Sequence, residues 1–279
     1  MPLTATPLRY PGGKSKLYNY VLSIIDRNDM YNHVYIEPFA GGAGLAILLL
    51  LNNKVSRIVL NDIDPHIYWF WRCVIDMPDV ICEKIDSVPV TIEEWKKQRY
   101  IYQNYNQYTP IEIGFSTLFL NRTNVSGVLT GGPIGGIDQS GRYKVDARFN
   151  KSTLIDKIQK IKNVKDKIQV FNKDARDFIS EDIPLYDDKM TFVYFDPPYV
   201  NKGSILYRNF FSQKDHTELS KIISTCKCKW IVTYDKCSLI HVLYKDFNQD
   251  IITLNYSTGE SKQGYEIVIY SNNIIIPGS

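Results

Sequence analysis

Short β-branched and aromatic runs, each bounded by turn residues, recur along the chain at 34–36, 58–60, 168–171, 192–195, 230–233, 251–254 and 267–270. Runs of this length and composition predict seven strands. The stretches 16–25, 44–51, 65–75, 212–224 and 238–244 read as helices, and the fourth opens with Ser212 and Asp215 in capping-box spacing. Strands alternating with helices predict the α/β class, as a doubly wound, largely parallel sheet covered on both faces. No helical pattern separates the last two strands, so they are expected to form an antiparallel edge pair.

The alternation breaks once, between about Trp71 and Val164. A helix-like, Tyr-rich stretch at 95–108 leads into Ser126-Gly-Val-Leu-Thr-Gly-Gly-Pro-Ile-Gly-Gly, too irregular for a core strand. This predicts an inserted, smaller domain over 71–164, with 1–70 and 165–279 forming the discontinuous main domain. Loops at the carboxyl ends of strands build the binding crevice in such folds, so an insertion after the second strand is expected to overhang the site.

Composition narrows the function classes. With 279 residues, 44% of them hydrophobic, the chain can bury a sizeable core. Neither an apolar run long enough to span a bilayer nor a basic start followed by an apolar stretch is present, which predicts a cytoplasmic protein with no membrane association. Five cysteines without a C-x-x-C pair and four scattered histidines predict reduced thiols and no metal site. The net charge of +3 is unevenly spread: ten Lys or Arg and three Asp give 142–173 a local +7, leaving −4 for the rest. A solvated helix face around 157–167 accounts for such a run, and so does a polyanionic partner.

The sharpest chemical signal is Asp196-Pro197-Pro198-Tyr199, directly after the predicted strand 192–195. Two prolines cannot continue a hydrogen-bonded strand, so they fix a turn that gathers a carboxylate, a bare carbonyl and an aromatic ring. Asp196 and the Pro197 carbonyl can each accept one N–H of an exocyclic amine, drawing its lone pair out of conjugation, while Tyr199 stacks on the ring. Upstream, Glu37-Pro-Phe39-Ala-Gly41-Gly42-Ala-Gly44 follows the first strand and opens a helix, as a nucleoside-containing cofactor requires. Ile47 stands where the dinucleotide fingerprint needs its third glycine. The second strand ends in Asn61-Asp62-Ile-Asp64, an acid where ribose hydroxyls are held. Tyr10-Pro11-Gly12-Gly13-Lys14-Ser15 imitates a P-loop, but Leu8 occupies the first-glycine position and no strand precedes it, so Lys14 fits an anion or carboxylate better than ATP.

Together these stretches resemble the DNA adenine N6-methyltransferases of the Dam type (D12 class) over most of the chain, from Arg9 to about Asp235. The resemblance implies a methyltransferase fold with an inserted target-recognition domain, S-adenosyl-L-methionine as cofactor and double-stranded DNA as partner. It assigns cofactor contacts to Tyr10, Gly12, Lys14, Glu37, Phe39, Gly41 and Gly44, the ribose to Asp62, the cofactor adenine to Asp174, and catalysis to Asp196, Pro197, Pro198 and Tyr199, with Asp196 also beside the cofactor. No metal is implied, functional pairing with a restriction endonuclease is left open, and oligomeric state is not addressed.

Within the insertion, Arg122, Ser126, Thr130 and the run Arg142-Tyr143-Lys144 resemble the two sides of the family's DNA-reading hairpin. Where the GATC-reading member has Tyr-Asn-Gly-Leu-Cys-Arg, this chain has Val125-Ser126-Gly127-Val128-Leu129-Thr130. The intercalating pair and the guanine-reading arginine are absent, so a site other than GATC is expected. The implied mechanism extrudes the adenine from the duplex and aligns N6, methyl and sulfur in line. Related Pro-Pro-Tyr motifs serve cytosine N4, RNA adenine and glutamine acceptors, and a catalytically silent DNA-binding protein on the same fold is the remaining alternative.

Overall fold

A computed structural model describes residues 5–9, 14–200, 211–258 and 260–276 of the chain. Seven strands form one sheet in the order β3-β2-β1-β4-β5-β7-β6: β1 (Val34–Glu37), β2 (Arg57–Asn61), β3 (Ile168–Phe171), β4 (Thr191–Phe195), β5 (Lys229–Asp235), β6 (Asn248–Thr258) and β7 (Glu260–Tyr270). The first five pair in parallel, whereas β7 runs antiparallel between β5 and β6. The last two strands are therefore an antiparallel pair as expected, but each is far longer than its apolar run, and of the two only β6 lies at an edge of the sheet.

Strand periodicity sends side chains to alternate faces, and two apolar clusters result. Tyr35, Ile58, Leu60, Phe192 and Tyr194 join one, and Ile36, Val59, Val193 and Phe195 the other. The first face is covered by α1 (Tyr18–Arg27), α2 (Gly44–Leu51) and α7 (Lys151–Lys162), the second by an irregular helical stretch at 175–185, α8 (Gln213–Ser224) and α9 (Ser238–Leu243). α2 is apolar around nearly its whole circumference because it is enclosed on nearly every side. α8 begins where its capping box predicts: Ser212 accepts from the Asp215 amide, and the Asp215 carboxylate accepts from Ser212 N at 2.8 Å.

The region between β2 and β3 is chiefly helical. α3 (Pro65–Asp76), capped by Asp64, crosses the predicted domain boundary at position 71, followed by α4 (Pro78–Ser87), α5 (Ile92–Gln103) and α6 (Pro110–Thr123). Trp71, Trp95, Phe119 and Phe149 from this region belong to the same apolar cluster as the first face of the sheet. The Gly-rich stretch is irregular, with a single bridge between Asn124 and Pro133. Its carbonyls at Leu129, Thr130 and Gly131 are gathered by the Arg99 guanidinium at 2.9–3.0 Å. All five cysteines are free thiols. Among the described residues no helix is long and apolar enough to cross a membrane, and no His, Cys, Asp and Glu group could hold a metal ion.

Candidate active site at the carboxyl edge of the sheet

The order of the parallel strands reverses between β1 and β4, so the crevice of this fold opens there, outside their carboxyl ends. Glu37 closes β1 and Asp196 follows β4, which brings the two predicted motifs to opposite sides of that crevice. Strand geometry ends at Phe195 because Pro197 and Pro198 have no amide hydrogen to offer a neighbour.

Asp196 accepts a hydrogen bond from Thr233 Oγ1 at 3.2 Å and lies 3.3 Å from Lys14 Nζ. Burial pushes its carboxyl up to about 6; Lys14 opposes the rise and the nearby Glu266 adds to it. Lys14 Nζ sits 2.9 Å from both carboxylate oxygens of Glu266 and donates to the Tyr199 hydroxyl, and Tyr199 in turn donates to Glu266. The sequence placed Lys14 against a carboxylate or the cofactor; the carboxylates it meets are the chain's own, Asp196 and Glu266. Tyr199 is 7% exposed, with Lys14 Nζ 4.9 Å from its ring centroid.

Glu37 is buried and pushed up to about 8, chiefly by desolvation, with Asp196 adding to the rise. Its Oε1 accepts from Tyr35 Oη at 3.1 Å and from Ala46 N, in the first turn of α2, at 3.2 Å. Asp62 is pushed up to about 7 by burial, opposed by the amides of Asp64 and Gly41 that donate to it at 2.9 and 2.8 Å. Asp62 thus clasps the glycine turn, whose Gly41 has φ +46° and whose carbonyl accepts from Trp71 Nε1 at 2.9 Å. Gly44 is the first residue of α2, and Phe39 meets Phe211 edge-on at 6.2 Å.

Buried Asn61 ties three strand ends together, donating to the carbonyls of Pro38 and Lys173 and accepting from Lys173 N at 3.0–3.1 Å. Asp174 caps the short helix at 175, and both of its oxygens are held by the Arg176 guanidinium at 3.0 Å, which keeps its carboxyl below the usual range. Tyr10 and Gly12 lie outside the described residues. Glu266, Thr233, Asn61 and Trp71 escaped sequence reasoning as site residues. Glu266 carried one signal, a charged residue abutting a core strand, which an edge strand explains equally well.

The predicted DNA-facing residues divide into two kinds. Ser126, Thr130, Arg142, Tyr143 and Lys144 are exposed, and the guanidinium groups of Arg142 and Arg148 lie 5.5 and 5.9 Å from the Tyr143 ring centroid. Arg122 instead donates to the carbonyls of Arg148 and Pro7 at 2.8 and 3.5 Å, and burial together with Arg9 and Arg148 pushes it down to about 10. The basic run is also partly neutralised from outside it: Lys162 and Lys173 meet Asp79 and Asp182 at 2.7 Å.

Residues 10–258 match the family described as D12 class N6 adenine-specific DNA methyltransferase. Among curated proteins, the chain is 26% identical over 232 residues to the type II methyltransferase M.MjaIII of Methanocaldococcus jannaschii, covering 77% of each chain. It is 24% identical over 217 residues to the type II methyltransferase M.CviBI of Paramecium bursaria Chlorella virus NC1A, covering 76% of this chain and 77% of that one.

Proposed function

This chain belongs to the D12 class of N6 adenine-specific DNA methyltransferases, and we propose that it transfers a methyl group from S-adenosyl-L-methionine to N6 of an adenine turned out of double-stranded DNA. The observation that carries the reading is the position of Asp196-Pro197-Pro198-Tyr199 at the point where the strand order reverses, across the crevice from Glu37. Asp196 and the Pro197 carbonyl accept the two N6 hydrogens, which turns the nitrogen lone pair toward the methyl donor, and Tyr199 contacts the extruded ring. Extrusion costs a few kcal/mol, and base–aromatic contact returns roughly 1–3 kcal/mol of it.

The residues at the β1 and β2 ends suit a cationic nucleoside. Among the described residues, none of the groups that shift Glu37 or Asp62 is a cation, so an arriving positive charge favours their ionised forms. Glu37, Phe39, Gly41, Gly44 and Asp62 would hold the cofactor, with Asp62 on the ribose, and Asp174 would meet its adenine. When bound, S-adenosyl-L-methionine supplies the electrophilic methyl. The chain's own task is then orientation, worth up to roughly 7–11 kcal/mol when the reacting atoms are held in line. The insertion over 71–164 reads the DNA, with Arg142, Tyr143 and Lys144 facing the duplex and Thr130 unable to supply the paired hydrogen bonds by which arginine reads guanine.

The test is methyl transfer from labelled S-adenosyl-L-methionine to DNA, with nucleoside analysis of the product and mapping of modified adenines. N6-methyladenine outside GATC is expected, and Asp196→Ala should abolish it while leaving the fold intact. Methylcytosine, methylated RNA, or near-normal turnover by the alanine variant would overturn the reading.

A further inference from the structure

Glu266 has no place in the resemblance that identifies the active site, yet it is 1% exposed at the heart of it. It stands on β7 opposite Asp235 in the antiparallel register with β5, so a strand that arrives from the far end of the chain delivers a carboxylate to the Tyr199 end of the Asp196–Tyr199 turn. Both of its oxygens engage Lys14, and one accepts from the Tyr199 hydroxyl. Lys14 also reaches Asp196 at 3.3 Å, so one ammonium is shared between two carboxylates.

We propose that Glu266 is a positioning residue for methyl transfer: through Lys14 and the Tyr199 hydroxyl it sets the relation between the Asp196 carboxylate and the Tyr199 ring. This rests on the functional reading above. A buried carboxylate is costly unless it is paired and hydrogen-bonded, and the partners of Glu266 include Tyr199 of the Asp196–Tyr199 turn and Lys14 beside it. The phenol cannot rotate away without leaving the carboxylate, and the ammonium cannot move wholly to Asp196 without leaving Glu266. Ring and acceptor are thereby held in one geometry before a base arrives, which is where an orientation-limited reaction gains most.

The arrangement also sets the charge on Asp196. The groups that act on it are Lys14 ahead of α1, Tyr35 and Glu37 on β1, Tyr194 on β4, Thr233 and Tyr234 on β5, and Glu266 on β7, with Tyr199 bonded to the same Lys14. Glu266 raises Asp196 both by its own charge and by competing for Lys14, so removing that charge lowers the pH at which Asp196 becomes an acceptor.

The experiment compares single-turnover methylation of DNA across pH 5–9 by the wild-type chain, Glu266→Gln, Tyr199→Phe and the double variant, with thermal unfolding measured alongside. Glu266→Gln keeps the shape and one acceptor oxygen. It is expected to move the acid limb of the rate profile down by about 1 pH unit and to lower the plateau roughly tenfold or more, with KM for DNA unchanged. In the Tyr199→Phe background the plateau loss should be smaller, because the hydroxyl through which Glu266 acts is already gone. An unmoved acid limb in a folded Glu266→Gln variant overturns the proposal while the functional reading stands. Absence of adenine methylation by the wild-type chain overturns both. If Glu266→Gln does not fold, Tyr199→Phe decides: with its hydroxyl removed, an unchanged plateau rate would refute positioning through that group.

Discussion

Replacing Glu37 by glutamine should make the protein more stable, and by an amount that grows with pH. The side chain is 5% exposed, and its carboxyl rises from its ordinary 4.5 to about 8 because desolvation outweighs the bonds from Tyr35 Oη and Ala46 N. Between those two values the folded chain holds a proton on Glu37 that the unfolded chain has lost, so raising the pH favours unfolding. The resulting loss is under about 1 kcal/mol at pH 5, about 3 kcal/mol at pH 7, and levels off near 5 kcal/mol above pH 8. Glutamine keeps an acceptor for both bonds and has no proton to lose, so the variant lacks this term. Urea unfolding at pH 5, 6, 7 and 8 should therefore give a stability difference, variant minus wild type, that increases by about 2 kcal/mol from pH 5 to pH 7. Asp62 and Asp196 are also raised, but they are present in both proteins and largely cancel. A difference independent of pH would show that Glu37 is ionised in the folded protein and that burial does not govern it.

Three further outcomes follow from the geometry. Asp62→Ala should weaken S-adenosyl-L-methionine binding about ten- to a hundredfold, since a hydrogen bond to a charged group contributes roughly 1.5–3 kcal/mol and the clasp on Gly41 goes with it; calorimetric titration checks this, with DNA affinity nearly constant as the control. Gly127→Ala should destabilise by at least about 1–2 kcal/mol, because its φ is +78° and a Cβ would lie 2.7 Å from the Arg9 carbonyl, whereas Gly132→Ala meets nothing within 4 Å and should leave chemical unfolding unchanged. Arg122→Ala should lower stability by roughly 1–3 kcal/mol through loss of its bonds to Arg148 and Pro7; Arg142→Ala should instead leave stability unchanged, weaken binding to every DNA sequence and reduce the salt slope by about one.

Features dictated by short-range chemistry are legible in the residues alone. Two prolines end β4 wherever they are placed, an all-apolar helix such as 44–51 must be enclosed, and Ser212 with Asp215 starts a helix from its own side chains. Alternation of strands and helices was enough for the class of the sheet and for the edge at which Glu37 and Asp196 meet, because parallel strands all end on the same side. The role of a charge emerges on folding, since it depends on partners brought from far along the chain. Lys14 reads as an anion-binding lysine in a glycine turn, and it is folding that supplies Glu266, 252 positions away, as its partner. Lys162 and Lys173 read as part of a polyanion-seeking run until Asp79 and Asp182, from outside that run, pair with them. Arg122 is expected from the sequence to contact DNA, and folding gives it two partners of its own, the carbonyls of Pro7 and Arg148. The register of β7 against β5 that places Glu266 beside Asp235 leaves no local trace, because hydrogen bonds between strands join backbone groups that every residue shares.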